Sequence, residues 1–306
     1  MKGKVLVTGA DLAPQAAALL EDYELVFAGK TPSEQDIIGL CQPHDPVAII
    51  VRYGKITADA IKAAPGLKVI SKHGSGTDTI DKAAAAEHGV AVVAAIGANA
   101  PAVAEHAVTL LLACAKSVPH LNARMHDGHW DKATHKNIEL AGRTLGLVGL
   151  GAIGRRMARI AHAMDMRVIG FDPYAQAPVE HVQLVDMDTI WRESDAISLH
   201  CPLTEDNRHL INADTLARCK PGVIIVNTAR GGLINEPDLV AAVAGGQVHA
   251  AGLDSFGVEP IQADNPFLQQ AGIILSPHVG GVTHDAYVHM GVGAARNLLE
   301  VLAQTA

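Results

Sequence analysis

Three glycines set the first chemistry this sequence can do. Gly149, Gly151 and Gly154 follow the apolar run Thr144–Val148 and open the helical stretch Arg155–Met164. Such a pattern alone is a weak signal, and its place between a strand and a helix gives it meaning. The first glycine allows a tight turn, the second lets backbone approach a pyrophosphate, and the third permits close packing of helix on strand. Amides at the helix start then face the anion, with the helix dipole in support. Gly149, Gly151, Ala152, Ile153 and Gly154 are thereby candidate cofactor contacts. Asp172 ends the next apolar run, Arg167–Phe171, at the distance where an acidic residue meets the ribose hydroxyls of a dinucleotide. Its carboxylate would repel a 2′-phosphate, and Pro173–Ala177 offer no Arg or Lys to compensate. The expected cofactor is NAD, in preference to NADP.

Further polar residues stand just past other apolar runs, where open α/β sheets bind ligands. Asn227–Gly232, with Arg230, follows Val223–Val226; Asp254 follows Ala250–Leu253; His278 follows Ile273–Leu275, between Pro277 and the pair Gly280, Gly281. Glu259 precedes Pro260 between the last two. Each has a plain alternative: an Arg before two glycines can end a strand, a Glu before Pro can face solvent, and the chain has 16 histidines. The combination is what argues for a site.

The elements that must position these residues are legible in the same way. At 306 residues the chain exceeds what one core usually supports, which favours two domains. Hydrophobic residues reach 49% against 18% charged, which suits a folded enzyme, and aromatics at 3% leave Ala, Val, Leu and Ile to fill the interior. Apolar runs alternate with helical stretches, so the fold class is α/β with two doubly wound parallel sheets. Expected strands are Lys4–Thr8, Tyr23–Phe27, Ala48–Val51, Lys68–Ser71 and Ala91–Val93, then Thr144–Val148, Arg167–Phe171, Ala196–Leu199, Val223–Asn227, Ala250–Leu253 and Ile273–Leu275. The spacing predicts a helix over Ala102–Val118, apolar on most faces and hence buried, followed by a polar stretch to Leu140. Standing between two domains, it is expected to pack against a partner subunit, making a homodimer. A final helix, His284–Ala303, returns to the first domain, so residues 1–98 and 284–306 form one domain and 99–283 the other.

The net charge of −8 and the lack of a basic run argue against nucleic acid as a partner. Cys41, Cys114, Cys201 and Cys219 lie far apart, with no spacing that suits a metal site or redox disulfide. No metal is expected, and the thiols read as reduced and cytosolic. The longest greasy stretch, Ala107–Ala115, is well short of the roughly 20 residues of a membrane span, and the N-terminus does not read as a secretory signal. The expected location is the cytoplasm.

At this level the chain resembles the D-isomer-specific 2-hydroxyacid dehydrogenases over nearly its whole length. The resemblance is carried by His73–Asp81 (HGSGTDTID), Asn99–His106 (NAPAVAEH), Gly149–Gly154, His200–Thr204 (HCPLT), Asn227–Gly232 (NTARGG), Leu253–Pro260 (LDSFGVEP) and Pro277–Gly281 (PHVGG). It implies a Rossmann NAD-binding domain inserted in a flavodoxin-like substrate domain, and hydride transfer between nicotinamide and a small D-2-hydroxy or 2-oxo acid. Arg230, Glu259 and His278 are the implied catalytic residues. The Arg230 fork suits a carboxylate and its neighbouring carbonyl oxygen. His278 exchanges a proton with the alkoxide, and Glu259 pairs with His278 as one proton store. Cofactor contacts are implied for His200, Cys201, Pro202, Thr228, Ala229, Arg230, Asp254, His278 and Gly280, with Asp254 on the carboxamide. Substrate contacts fall on Arg230 and His278 and on the first domain's Lys72, Gly74, Ser75 and Gly76, where glycines form an anion nest. His73 and Thr77 depart from the family's commoner pattern of a small or apolar residue and Val. Arg52 and Tyr53, with Lys55, follow another strand; as ligands they would suit a second anionic group, and as loop residues they would be solvated.

Two kinds of reading compete. Phosphoglycerate oxidation needs cations such as Arg52, Lys55 and Lys72, while hydroxypyruvate or glyoxylate reduction needs fewer contacts. The family's formate dehydrogenases place Gln where this chain has Glu259. In the other class, related transcriptional proteins use the fold as an NAD-sensing module.

Overall fold

The computed structural model describes residues 1–175 and 178–304. Gln176 and Ala177, within the Pro173–Ala177 run read above, lie outside the described residues, as do Thr305 and Ala306 of the segment 284–306. The chain divides into two compact units, Met1–Asn99 with Val282–Ala306, and Ala100–Gly281. Each is a parallel sheet flanked by helices, as the alternation of apolar runs requires.

In the smaller unit the strands are β1 (Lys4–Val7), β2 (Glu24–Phe27), β3 (Ala48–Val51), β4 (Val69–Lys72) and β5 (Ala91–Ala94), ordered β2-β1-β3-β4-β5. That order is flavodoxin-like, with its switch point between β1 and β3. β3 is buried along its whole length, so it reads as a continuous apolar run and does not alternate. On one face, Ala294, Ala295, Leu298 and Leu302 of the helix His284–Gln304 pack on Val5, Val7, Ile50 and Val69. The small alanines let that helix lie close, and the buried Ser71 hydroxyl of β4 donates to the Ala294 carbonyl at 2.8 Å. On the other face, Ile37 and Cys41 of the helix Glu34–His44 meet Leu6, Ile49 and Ile70. This helix starts where its sequence says it should, at a capping box of Ser33 and Asp36.

The larger unit holds β6 (Thr144–Val148), β7 (Arg167–Phe171), β8 (Gln183–Leu184), β9 (Ala196–Leu199), β10 (Val223–Asn227), β11 (Val248–Leu253) and β12 (Ile273–Leu275). Their order, β12-β11-β10-β9-β6-β7-β8, reverses between β6 and β9. This is the dinucleotide-fold order with one strand added. The two-residue β8 was not foreseen, because both of its residues are exposed and it carries no apolar signal. β11 begins two residues before the expected Ala250.

The long helix is the main correction. It spans Ala100–Lys116, not 102–118, and the expected polar stretch contains a second helix, Val118–His126. Pro119 has no amide to continue the ladder and sits in the first turn of the new helix, while Ser117 takes a left-handed conformation with φ of 49° between the two. The buried side of Ala100–Lys116 is used within its own unit: a Cβ on Gly252 of β11 would come 2.7 Å from Leu110 Cβ. Leu110, Leu111 and Cys114 each lose nearly all contact with water there, an effect worth about 1.5–3 kcal/mol for a leucine. No single helix among the described residues is long and apolar enough to cross a membrane.

Candidate active site

The glycine loop joins β6 to the helix Ala152–Ala163, and its three glycines answer to different demands. A Cβ on Gly149, whose φ is +95°, would come 2.7 Å from both His200 C and Cys201 N, so this turn is pressed against the end of β9. A Cβ on Gly154 would lie 2.1 Å from the Gly149 carbonyl oxygen. The fold itself therefore demands both. Gly151 differs: a Cβ there meets nothing within 4 Å. That is the open approach a pyrophosphate needs, and Gly151 as N-cap provides no side chain to occupy the first amides of the helix.

Asp172 stands at the end of β7 beside this loop. Its Oδ2 accepts from the Leu150 amide at 2.8 Å and its Oδ1 from the Tyr174 amide at 2.9 Å. The carboxylate thus braces the glycine turn. His200 follows β9, half-buried overall with its ring nitrogens enclosed. Its Nε2 lies 2.9 Å from Ser198 Oγ, its Nδ1 has no protein partner, and burial pushes the imidazole down to about 4. The Pro202 carbonyl beyond Cys201 is held by Asn207 Nδ2 at 2.7 Å. The Thr228 hydroxyl is a second enclosed polar atom without a protein partner. Loop, open Cβ position and orphaned polar atoms together fit a dinucleotide.

The loops after β10, β11 and β12 interlock. Buried Asn227 closes the first: its Oδ1 accepts from Ala229 N at 3.0 Å and its Nδ2 donates to the Arg230 carbonyl at 2.8 Å. Arg230 is half-buried, and its Nη1 donates to the Ala229 carbonyl at 2.7 Å. Its neighbour Gly231 is so close to the next loop that a Cβ would overlap the Phe256 carbonyl carbon. Glu259, on a cis Glu259–Pro260 bond, accepts from Phe256 N at 2.9 Å through Oε1 and meets His278 Nδ1 at 2.8 Å through Oε2. The other carboxylate oxygen is thus fixed before the histidine is met. His278 and Glu259 remain 48% and 36% exposed, so their proton can reach solvent or substrate.

His278 itself has a φ of 53°, an uncommon state for a residue with a Cβ. Asp254 holds it there. This buried carboxylate accepts from Ser276 Oγ at 2.6 Å, Val279 N at 2.9 Å and Gly280 N at 2.7 Å, on both sides of His278. His106, from the helix Ala100–Lys116, reaches Ser276 Oγ at 2.8 Å. The sequence reading missed Asn227, Ser276 and His106 as supports, since a lone Asn, Ser or His beside a strand end carries no distinguishing signal.

The smaller unit carries the remaining residues at the ends of its strands. Lys72 ends β4 and its Nζ donates to the Arg52 carbonyl at 3.3 Å. Gly74 has a φ of +128°, which a side chain would resist, and Ser75 Oγ accepts weakly from Gly97 N at 3.4 Å. Gly76 lies in the same loop. Lys55 is exposed and Tyr53 is half exposed. Arg52 is not the solvated loop charge that one reading allowed, because its side chain is only 12% exposed and is ion-paired with Asp11. Next to it, burial and the Arg52 charge push the His73 imidazole down to about 4.

Residues 108–280 match the family described as D-isomer specific 2-hydroxyacid dehydrogenase, NAD binding domain. A hydroxypyruvate reductase of Thermotoga maritima is 40% identical over 293 residues, 95% of this chain and 96% of the relative. A D-3-phosphoglycerate dehydrogenase of Methanocaldococcus jannaschii is also 40% identical, over 98% of this chain, which spans only 57% of that relative. Among solved structures, a glyoxylate reductase from Paecilomyes thermophila superposes with a TM-score of 0.88 and 29% identity, covering 100% of this chain and 97% of the other.

Proposed function

The chain belongs to the D-isomer-specific 2-hydroxyacid dehydrogenase family and is an NAD-dependent enzyme, and from that premise we propose that it reduces a small 2-oxo acid to the D-2-hydroxy acid, reversibly, with Arg230, Glu259 and His278 as its catalytic residues. The observation that carries this is the 2.8 Å contact of His278 Nδ1 with Glu259, part-exposed on a loop that Asp254 clamps on both sides. NAD, when bound, supplies the hydride donor or acceptor. Gly149, Gly151, Ala152, Ile153 and Gly154 would cradle its pyrophosphate, and Asp172 its ribose. His200, Cys201, Pro202, Thr228, Ala229, Asp254 and Gly280 would line the rest.

In reduction, the carbonyl carbon gains hydride and the oxygen gains the proton of His278 Nε2, since Nδ1 is turned to Glu259. Two electrons and two hydrogens convert 2-oxo acid to 2-hydroxy acid. Arg230 orients the substrate carboxylate and draws electron density from the carbonyl; Lys72, Gly74, Ser75 and Gly76 of the smaller unit are the further substrate contacts, with backbone suited to an anion nest. Positioned acid–base catalysis of this kind is worth roughly 10²- to 10⁴-fold. The test follows loss of NADH absorbance with hydroxypyruvate, glyoxylate, pyruvate and phosphohydroxypyruvate, for wild type beside His278→Ala. Turnover that survives the substitution would remove His278 from its role.

Two finer points belong to the same reading. NAD is preferred to NADP because Asp172 faces the ribose position, and a higher kcat/KM with NADPH than NADH would overturn it. The enzyme is a cytoplasmic homodimer, in which the exposed Val118, Met125 and Trp130 of the segment after Lys116 meet the partner. Buried, unpaired Cys41, Cys114 and Cys219 suit a reducing compartment. A sedimentation mass of one chain at micromolar concentration excludes the dimer, and recovery of the protein outside the cytoplasmic fraction excludes the compartment.

A further inference from the structure

Two neighbouring amides in the loop after β11 are each taken by a different glutamate. Phe256 N donates to Glu259 Oε1 at 2.9 Å, within the loop. Gly257 N donates to Glu236 Oε1 at 2.8 Å, and that carboxylate comes from another element of the same unit. Glu236 opens the helix Glu236–Ala244, which follows the Arg230 loop. Asn235 caps this helix, and its amide donates to the Ile211 carbonyl at 2.8 Å, so the backbone beside Glu236 is anchored. Pro237 needs no amide partner in a first turn, where the helix dipole also favours an acidic side chain.

The Glu236 carboxylate spans the loop. Its second oxygen, Oε2, accepts from Asn265 Nδ2 at 2.8 Å. Asn265 keeps its Nδ2 turned to Glu236, because its Oδ1 accepts from Phe267 N at 2.9 Å at the start of the short helix Pro266–Gln269. Both ends of the segment 257–265, which holds Glu259, are therefore tied to one carboxylate. The fit is close: a Cβ on Gly257 would come 3.2 Å from Glu236 Oε1. Phe256 is buried in the core with Phe267 and does not depend on this tie.

What the tie governs is Glu259. Its Oε1 is fixed by Phe256 N, which leaves Oε2 to meet His278 Nδ1 at 2.8 Å. An open Gly257 N, one peptide away, would be a second donor competing for the same carboxylate and drawing it from the histidine. We propose that Glu236 is a positioning residue of the reaction: by holding Gly257 and Asn265 it leaves the Glu259 carboxylate one arrangement, the one that faces His278. Glu236 acts only through Glu259, and the inference rests on the roles proposed above for Glu259 and His278.

The test uses NADH and whichever acid of the panel above is turned over fastest, for wild type, Glu236→Ala, Glu236→Gln, Glu259→Ala and the double variant Glu236→Ala with Glu259→Ala. Glu236→Ala should lower kcat roughly ten- to a hundredfold, the scale of a displaced catalytic group, and leave KM for NADH within about twofold. Glu236→Gln should lose less, since its amide oxygen still accepts from Gly257 N while its NH2 cannot accept from Asn265. The pH profile of kcat/KM should move in the same direction for Glu236→Ala as for Glu259→Ala. Once Glu259 is gone, removing Glu236 should cost nothing further. Where the alanine variant does not fold, the same cycle runs with Glu236→Gln. Wild-type kcat in both Glu236 variants, or a loss as large in the double variant as in Glu236→Ala alone, overturns the proposal and leaves the reaction standing. Wild-type kcat in Glu259→Ala, or no turnover of any acid of the panel by protein that binds NADH, overturns the proposed roles and this inference with them.

Discussion

Beyond the strands of the larger unit, the pair His278–Glu259 lies part-open, 48% and 36% exposed, on loops held by buried neighbours. Beyond the strands of the smaller unit the balance is reversed: the Arg52 guanidinium is enclosed beside Tyr53 and Tyr287 and is ion-paired with the exposed Asp11. Both sets stand where parallel sheets bind ligands. The difference lies in what the protein does with the charge. The pair proposed to pass a proton on is left accessible, with the backbone around His278 held by Asp254. The Arg52–Asp11 pair is instead tied into its own fold, with the Tyr287 hydroxyl on the same carboxylate oxygen.

The largest effect that can break this contrast comes from the open pair. His278→Ala should lower kcat roughly 10²- to 10⁴-fold while melting temperature and NADH binding stay as in wild type. A loss of the same size accompanied by a fall in melting temperature would mean that the histidine holds the loop, as Asp254 does.

The next effect concerns something the two units share. Each encloses one histidine, His73 and His200, which burial holds at about 4 against an ordinary value of 6.5. Both fold neutral. Above about pH 6.5 neither the folded nor the unfolded chain protonates them, and stability is unaffected. Between about 6.5 and 4 the unfolded chain takes up protons that the folded one refuses, so stability falls by about 1.4 kcal/mol per pH unit for each histidine. It levels off once the folded rings protonate. Urea unfolding between pH 7 and 4 checks this, and His200→Gln should flatten the slope by one histidine's share.

Smaller still is the effect that sharpens the picture within the larger unit. Gly154→Ala forces a methyl against the Gly149 carbonyl and should cost about 1–3 kcal/mol of stability. Gly151→Ala should leave stability unchanged and weaken NADH binding about tenfold, about 1.4 kcal/mol. If calorimetry finds the two substitutions alike in both readouts, the division of labour among the glycines is wrong.

How much of this the sequence carried depended on whether a residue's task left a local mark. β6, β7, β9, β10 and β12 begin and end where their apolar runs do, and β6, β9 and β10 are buried at every position, which needs an unbroken run. The glycine loop was legible because its spacing is itself the requirement. The helix break at Ser117 was not read, although Pro119 marks it, since the apolar pattern runs on across it. The supports were illegible for a different reason. Asp11 and Tyr287 are 276 residues apart and meet at one oxygen atom, so neither has a neighbour in sequence that betrays its partner. Fold-level signals are periodic and local, whereas a pairing across the chain is visible only once the sheet has closed.

The return of the helix His284–Gln304 to β1, β3 and β4 has a consequence for how the protein is made. A ribosome delivers the five strands of the smaller sheet first, yet Val5, Val7, Ile50 and Val69 have only Leu12, Ala13, Ala16 and Leu20 to begin covering that face until Ala294, Ala295, Leu298 and Leu302 emerge. Every residue of the larger unit, Ala100–Gly281, is synthesised before that helix begins. On a nascent chain the second unit can therefore reach its final packing while the first still waits with one side part-covered. The order of completion runs opposite to the order of synthesis.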